Sequence, residues 1–231
     1  MAKKSFAVIG LGRFGLSLID ELIRQEHDVL VIDKDPEKIQ KVAKKATHAV
    51  TVDTTDVGAL KDIGITSIDH VVVAIGKDIQ ASILTTLILK ELGVKNITVK
   101  VQNEYHEKVV EKLGVDDTVY PEKSAGYNLA SRLATGEYVL DYYDLGDKHT
   151  FFSIHLNEEH MTSVTVDPIN LKNQIKKVAQ VELIAIHQDQ SVYTPKDEVE
   201  VHAGAELWLL GSHAEMKTFI KDWFKESHKE D

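Results

Sequence analysis

The stretch Val8-Ile9-Gly10-Leu11-Gly12-Arg13-Phe14-Gly15 leaves this chain few folds to choose from. An apolar run from Phe6 to Ile9 enters a Gly-x-Gly-x-x-Gly turn, and Leu16, Ile19, Leu22 and Ile23 follow at helical spacing. Strand, tight turn and helix in that order open a dinucleotide-binding βαβ unit. Gly10 permits a sharp reversal, Gly12 leaves room for a pyrophosphate to approach the backbone, and Gly15 lets the helix pack close to the sheet. The helix N-terminus then offers N–H groups and a partial positive charge to phosphate. A second apolar run, Val29 to Ile32, ends in Asp33. An acid about 20 residues beyond the glycines is placed to accept hydrogen bonds from ribose hydroxyls. Asp33 would repel a 2′-phosphate, so NAD or an adenosine nucleotide fits better than NADP.

The first half continues as strands alternating with helices. Asp35-Pro36-Glu37 predicts a helix start, with an N-cap acid and proline at the first helical position. Ala49–Val52 reads as a third strand, followed by Asp53-Thr54-Thr55-Asp56. The continuous apolar run His70–Ile75 suits a strand covered on both faces, and Gly76 follows it. Asp78–Leu92 reads as a helix, Ile97–Val101 as a strand and Glu104–Leu113 as a helix. Thr118–Tyr120 is a sixth strand stopped by Pro121, and Lys123–Ala134 a helix ending near Gly136. This pattern predicts an α/β fold, a Rossmann-like doubly wound parallel sheet, with its ligand crevice at the carboxyl ends of the strands. Gly10, Gly12, Arg13, Phe14, Gly15, Asp33, Asp53, Thr54, Ala74, Ile75, Gly76 and Lys100 all fall at such ends.

From Tyr138 the strands shorten: Thr150–Leu156, Val164–Val166, Val181–His187, Ser191–Tyr193 and Glu206–Leu210, then a helix from about Ala214 to Phe224. Gln188-Asp189-Gln190 is the expected turn between two of them. These predict a small α+β domain over 139–231 after a nucleotide-binding domain over 1–138, with a charged, frayed tail at Lys225–Asp231.

Composition narrows the function. A net charge of −10 opposes non-specific attachment to nucleic acid or anionic lipid. No apolar run approaches the roughly 18–20 residues of a membrane helix, and Met1-Ala2-Lys3-Lys4-Ser5 leads into the first strand rather than a signal peptide. Without cysteine there is no disulfide framework or thiolate site, which fits a reducing cytoplasm. The competing reading is an NAD-dependent oxidoreductase with a small second domain. That would need a proton donor beside the cofactor. The chain has no Tyr-x-x-x-Lys, and its 11 histidines are scattered. Neither a P-loop nor a His-Glu-x-x-His zinc motif occurs.

Several stretches together carry a resemblance. Phe6–Gly15 is joined by Ala46-Thr47-His48-Ala49-Val50, Val73-Ala74-Ile75-Gly76, Ile79-Gln80-Ala81-Ser82 and Val99-Lys100-Val101-Gln102-Asn103. Tyr105-His106-Glu107-Lys108-Val109 and Tyr120-Pro121-Glu122-Lys123 extend the series across nearly all of residues 5–136. In this order they resemble bacterial RCK (KTN) proteins, in particular the cytosolic subunit of a Ktr-type potassium uptake system, related to the Trk regulator. The second domain resembles the RCK C-terminal domain by position, length and pattern. The resemblance implies a non-enzymatic gating subunit that binds ATP and ADP, with NAD(H) as a further candidate. It implies homodimers assembled into an eight-subunit ring at the inner face of the cell membrane. There the ring would dock on a membrane-embedded potassium translocation subunit of the KtrB/TrkH type.

Within that frame Arg13 is a candidate for reading the extra phosphate of ATP, the alternative being a solvated surface arginine. Lys100 is a candidate second cation near the phosphates, or a surface lysine. Asp53 and Thr54 would sit beside the adenine, or cap the following helix. By resemblance Glu122 faces a dimer interface, where it could hold Mg²⁺, Ca²⁺ or Na⁺; otherwise it is an acid at a helix N-terminus. Many relatives bind cyclic di-AMP through an Ile-Arg-x-Lys-Tyr-Gly-like stretch in the second domain. Here the matching residues are Ile175-Lys176-Lys177-Val178-Ala179-Gln180. Loss of the forked arginine, the aromatic ring and the glycine predicts weak or absent binding, with the domain kept for dimerisation.

Overall fold

The computed structural model describes residues 2–135, 139–146, 149–158 and 165–224. The expected frayed tail Lys225–Asp231 lies outside them, as do Gly136, Tyr138 and Val164, where a helix end, a domain start and a strand start were expected. Two compact units make up the chain, Met1–Glu122 and Lys123–Asp231. The division falls near the start of the helix Pro121–Thr135, where the sequence reading puts the boundary after it, at 138/139. Tyr127, Ala130 and Ala134 of that helix share a cavity with Tyr142, Met216 and Ile220, which is why it groups with the second unit.

The first unit holds six parallel strands: β1 (Ser5–Ile9), β2 (Asp28–Asp33), β3 (His48–Thr51), β4 (His70–Val73), β5 (Ile97–Lys100) and β6 (Asp117–Val119). Their order, β3-β2-β1-β4-β5-β6, changes direction between β1 and β4, which opens a crevice at the carboxyl ends of those two strands. Helices α1 (Arg13–Arg24), α2 (Pro36–Val42), α3 (Val57–Asp62), α4 (Ile79–Glu91) and α5 (Glu104–Lys112) connect them. Successive side chains of a strand point to opposite faces. Accordingly Ala7 and Ile9 enter one core cluster, with Ile32, Val73 and Leu89, while Val8 enters another, with Ile19, Val31 and Ala74. Both faces are covered, so the strands read as continuous apolar runs.

Helix α4 departs from the usual arrangement. Ser82, Thr85 and Thr86 are buried, while Leu84 and Leu87 are exposed. Tyr105 and Val109 of α5 are exposed too, Tyr105 by 82%. Ile88 and Leu89 of α4 are buried as well, so its inner face is mixed; burying a side chain the size of the exposed leucines is worth about 1.5–3 kcal/mol, so the apolar outer face asks for a covering partner.

The second unit contains α6 (Pro121–Thr135) from Lys123 onward, β7 (Val139–Gly146), β8 (His149–His155), β9 (Thr165–Val166), α7 (Pro168–Val178), β10 (Glu182–Gln188), β11 (Ser191–Tyr193), β12 (Val201–His202), β13 (Glu206–Ser212) and α8 (His213–Trp223). Five strands form an antiparallel sheet ordered β11-β10-β13-β8-β7, and β12 pairs with β9. Asp189 and Gln190 have φ of 52° and 61°, the two left-handed residues of a type I′ hairpin turn, where the sequence places it. Ser212 caps α8 in a reciprocal capping box with Glu215. Phe219 and Trp223 of α8 stack at 5.1 Å, and Phe219 lies 6.2 Å from Phe152 of β8. This is the expected α+β domain, with β7, α7 and β12 in addition to the elements foreseen.

Candidate functional site

The glycine turn separates what the fold needs from what it leaves open. Gly10 has φ +103°, and its N–H donates to the Ile32 carbonyl at 2.8 Å. A Cβ there would come within 3.0 Å of the Ala74 carbonyl. A Cβ on Gly15 would stand 2.2 Å from the Gly10 carbonyl oxygen, inside any tolerable contact. Gly12 is different. Its φ of −81° suits any residue, and a Cβ there meets nothing within 4 Å. The fold requires glycine at 10 and 15; at 12 it leaves free space beside the first N–H groups of α1.

Asp33, at the end of β2, is buried and faces that turn. Its Oδ2 accepts from the Leu11 N–H at 2.7 Å and its Oδ1 from the Asp35 N–H at 2.9 Å, and Lys38 Nζ lies 3.2 Å from Oδ2. Burial pushes its carboxyl pKa up, but these donors and the Lys38 charge outweigh it and hold it below the usual range. Lys38 Nζ also reaches Oδ1 at 3.4 Å, so each carboxylate oxygen already accepts two bonds, and ribose hydroxyls would have to take the place of the Lys38 contacts.

Ala74 is buried and Ile75 half-buried; both back the Gly10 turn through their main chain. Gly76 is exposed at the rim. Asp53 is exposed, and its Oδ1 accepts from the Thr55 N–H at 3.0 Å and Oγ1 at 2.7 Å, which holds it below the usual carboxylate range. Thr54 is buried with its hydroxyl 2.8 Å from that of Thr85. Capping of α3 belongs to neither: Asp56 accepts from the Gly58 and Ala59 N–H groups.

Arg13 is exposed on the first turn of α1, and Phe14 beside it is half-buried. Lys100 is not the surface lysine of the alternative reading. It is 7% exposed, with Nζ 5.8 Å from the centre of the Phe14 ring and donating to Glu122 Oε1 at 2.6 Å. Its side chain is a buried cation whose partner carboxylate is 63% exposed. Lys100 holds the Glu122 carboxyl below its usual range, with a smaller contribution from Arg13. Glu122 is therefore engaged within its own chain. Among the described residues no three His, Cys, Asp or Glu side chains come together as metal ligands.

The sequence reading passes over Gln102 as a site residue. It follows Lys100 by two positions and reaches the same rim: a Cβ on Gly76 would lie 3.7 Å from Gln102 Nε2 and 4.0 Å from Lys100 Nζ. Period-two alternation carried on past the end of β5, with the fully buried Val101 between Lys100 and Gln102, is the signal that could have found it.

The TrkA-N domain family matches residues 6–121, the unit just described. The chain is 42% identical to Ktr system potassium uptake protein C of Bacillus subtilis (strain 168), over 95% of this chain and 97% of the relative. It is 40% identical to Ktr system potassium uptake protein A of the same organism, over 94% and 95%. Among solved structures, the GsuK channel bound to NAD aligns with TM-score 0.64 at 13% identity, covering 97% of this chain and 40% of that one. The GsuK channel itself aligns with TM-score 0.66 at 14% identity, over 94% of this chain and 39% of that one. These two support the fold, and this chain spans less than half of the channel subunits. No described helix is long and apolar enough to cross a membrane. The chain thus belongs to the TrkA-N family and, over nearly its whole length, to the Ktr system potassium uptake proteins.

Proposed function

We propose that this protein is a nucleotide-sensing regulatory subunit of a potassium uptake system, binding ATP and ADP at the carboxyl ends of β1, β2, β4 and β5 and controlling flux through a membrane-embedded translocation subunit. Potassium transport rests on the two Bacillus relatives, which match end to end. Nucleotide binding is carried by Gly12: the fold alone would accept a side chain there, and the space it leaves lies where phosphate meets a helix N-terminus. NAD(H) is a further candidate at the same site, as the NAD-bound GsuK channel shares the fold.

Asp33 would take the ribose hydroxyls, Arg13 the terminal phosphate of ATP, and Asp53 the adenine side. Bound nucleotide supplies charge and shape to the crevice; no bond is made or broken, and the protein is read as a non-catalytic binder. Two nucleotides filling one site switch a protein only when they differ in affinity for its two shapes. The exposed apolar face of α4 and α5 supports self-association, hence the homodimer and ring, which would work at the inner membrane face through the transport partner. A cation at Glu122 would have to compete with the Lys100 ammonium already there.

Calorimetry with ATP, ADP and NADH tests the reading. Wild type should bind ATP and ADP without turnover or absorbance change. Arg13→Ala should weaken ATP about ten- to a hundredfold, as expected for a charge-assisted bond worth about 1.5–3 kcal/mol, and leave ADP nearly unchanged. Equal losses for both would remove Arg13 from that role, and absence of any nucleotide binding would refute the sensing reading. Potassium flux in vesicles carrying both subunits should respond to ATP and ADP differently.

A further inference from the structure

The Asp33 carboxylate has no acceptor position to spare. Its Oδ2 accepts from the Leu11 N–H at 2.7 Å and from Lys38 Nζ at 3.2 Å; its Oδ1 accepts from the Asp35 N–H at 2.9 Å and from Lys38 Nζ at 3.4 Å. These bonds match the roughly four lone-pair positions of a carboxylate. The two main-chain donors are held by the fold. Leu11 follows Gly10, whose N–H is tied to the Ile32 carbonyl, and Asp35 is the N-cap of α2, its own side chain accepting from the Glu37 N–H. Lys38 is different. Its side chain is 44% exposed where that of Asp33 is 6% exposed, so the ammonium covers the carboxylate from the solvent side. A cation in the first turn of a helix gains nothing from the helix dipole, which is positive there. The carboxylate is what holds it.

We propose that Lys38 is a built-in competitor for the ribose: it covers Asp33 in the ligand-free protein, and a sugar diol gains its contacts only by displacing it. The inference rests on the nucleotide-binding reading above and adds to it a specificity-determining residue that works against binding. Of the four donor contacts, the two from Lys38 alone can be given up without moving main chain. Two hydroxyls replace them, one on each oxygen, and the ammonium swings into solvent on its flexible stem. The exchange trades an ion pair for neutral donors, so the diol adds little net affinity. A sugar without the 2′-hydroxyl vacates one oxygen, and Lys38 stays on it. Lys38 therefore narrows the difference between ribo- and 2′-deoxyribonucleotides, which an uncovered Asp33 would separate.

The test is calorimetry on the full-length protein with ADP and 2′-deoxy-ADP. Lys38→Met keeps an unbranched apolar stem and removes the charge. ADP should bind about fivefold more tightly to the variant, because a partly exposed ion pair no longer has to be broken. 2′-Deoxy-ADP should tighten by at most about twofold, so the ratio of the two dissociation constants should widen at least about twofold. The ligand-free variant should unfold slightly below the wild-type temperature, because Asp33 loses a partner. A merely structural role for Lys38 would also lower that temperature, but it would weaken both ligands alike and leave their ratio unchanged. If Lys38→Met fails to fold, Lys38→Ala supplies the same comparison. Wild type that binds no ADP overturns the underlying nucleotide reading. Wild type that binds ADP, with Lys38→Met binding it equally or more weakly, overturns the competitor alone. Equal tightening of ADP and 2′-deoxy-ADP overturns the role in sugar specificity.

Discussion

Replacing Gly12 and Gly15 by alanine, one at a time, separates binding from folding within four residues. A Cβ on Gly12 meets no atom within 4 Å, and φ of −81° is ordinary for alanine. Two small opposing effects act on stability. Alanine reduces the entropy of the unfolded chain, worth about 0.4–1 kcal/mol. It is also a poorer N-cap than glycine, by a few tenths to about 1 kcal/mol. The balance lies within about 1 kcal/mol of zero, or roughly 4 °C in unfolding temperature for a unit of this size. Nucleotide affinity should nevertheless fall by at least tenfold, about 1.4 kcal/mol, because the methyl occupies the space a phosphate would use.

Gly15→Ala should do the reverse. Its Cβ would stand 2.2 Å from the Gly10 carbonyl oxygen, which is main chain and moves only if α1 or the turn moves. Overpacking of this severity costs about 3 kcal/mol or more, a drop of roughly 10 °C. Differential scanning calorimetry of the ligand-free variants, followed by ADP titration, reads both quantities. Gly12→Ala with wild-type ADP affinity would refute the placement of phosphate beside α1. Gly15→Ala with wild-type unfolding temperature would refute the close helix–sheet contact.

Asp33→Asn should destabilise the ligand-free protein by about 1.5–3 kcal/mol, since it removes the charge that accepts from Leu11 and Asp35; urea midpoints at neutral pH measure it. The same residue shapes the acid limb. Its folded pKa lies below its unfolded value of about 3.9, so its contribution is present above that pH and is lost as pH falls through the folded pKa. Asp33→Asn should flatten the loss of stability below about pH 4, and an unchanged acid slope would contradict the donors assigned to Asp33. In the second domain Lys176 already pairs with Glu182 at 2.9 Å, with Lys172 at 3.5 Å from the same side chain. Cyclic di-AMP should therefore bind more weakly than about 1 μM, −8.2 kcal/mol; tighter binding by calorimetry on the full chain would show that other residues replace the missing arginine.

The nucleotide-binding unit is legible because its signals are local. Gly10–Gly15 announces the turn, and Asp35-Pro36 announces a helix through a cap that the structure shows accepting from the Glu37 N–H. The same signature, Asp167-Pro168, opens α7 with an N-cap bond to Asn170, so that helix was also within reach of the sequence. Other features depend on residues far apart in the chain. Nothing near Thr54 indicates that its hydroxyl will meet Thr85, 31 residues on, and so turn inward. Strand β7, Val-Leu-Asp-Tyr-Tyr-Asp-Leu-Gly, mixes polar and apolar residues without clean alternation, and its pairing with β8 shifts register twice. A shifted register breaks the period-two pattern on which strand recognition relies.

Lys100 shows why a site needs both kinds of reading. Its position at the end of β5 marks it as a candidate phosphate ligand, but a sequence gives no reason to pair it with Glu122, 22 residues later. That pair joins the end of β5 to the first turn of α6, the helix in which the first unit ends. A ligand that took Lys100 would displace its contact with Glu122 in the first turn of α6. One that fills only the ribose and first-phosphate end leaves the contact in place. Ligands of equal size that differ in reach would then differ in what they do to α6. Differential contact of this kind is the physical requirement for any ligand to shift a conformational equilibrium.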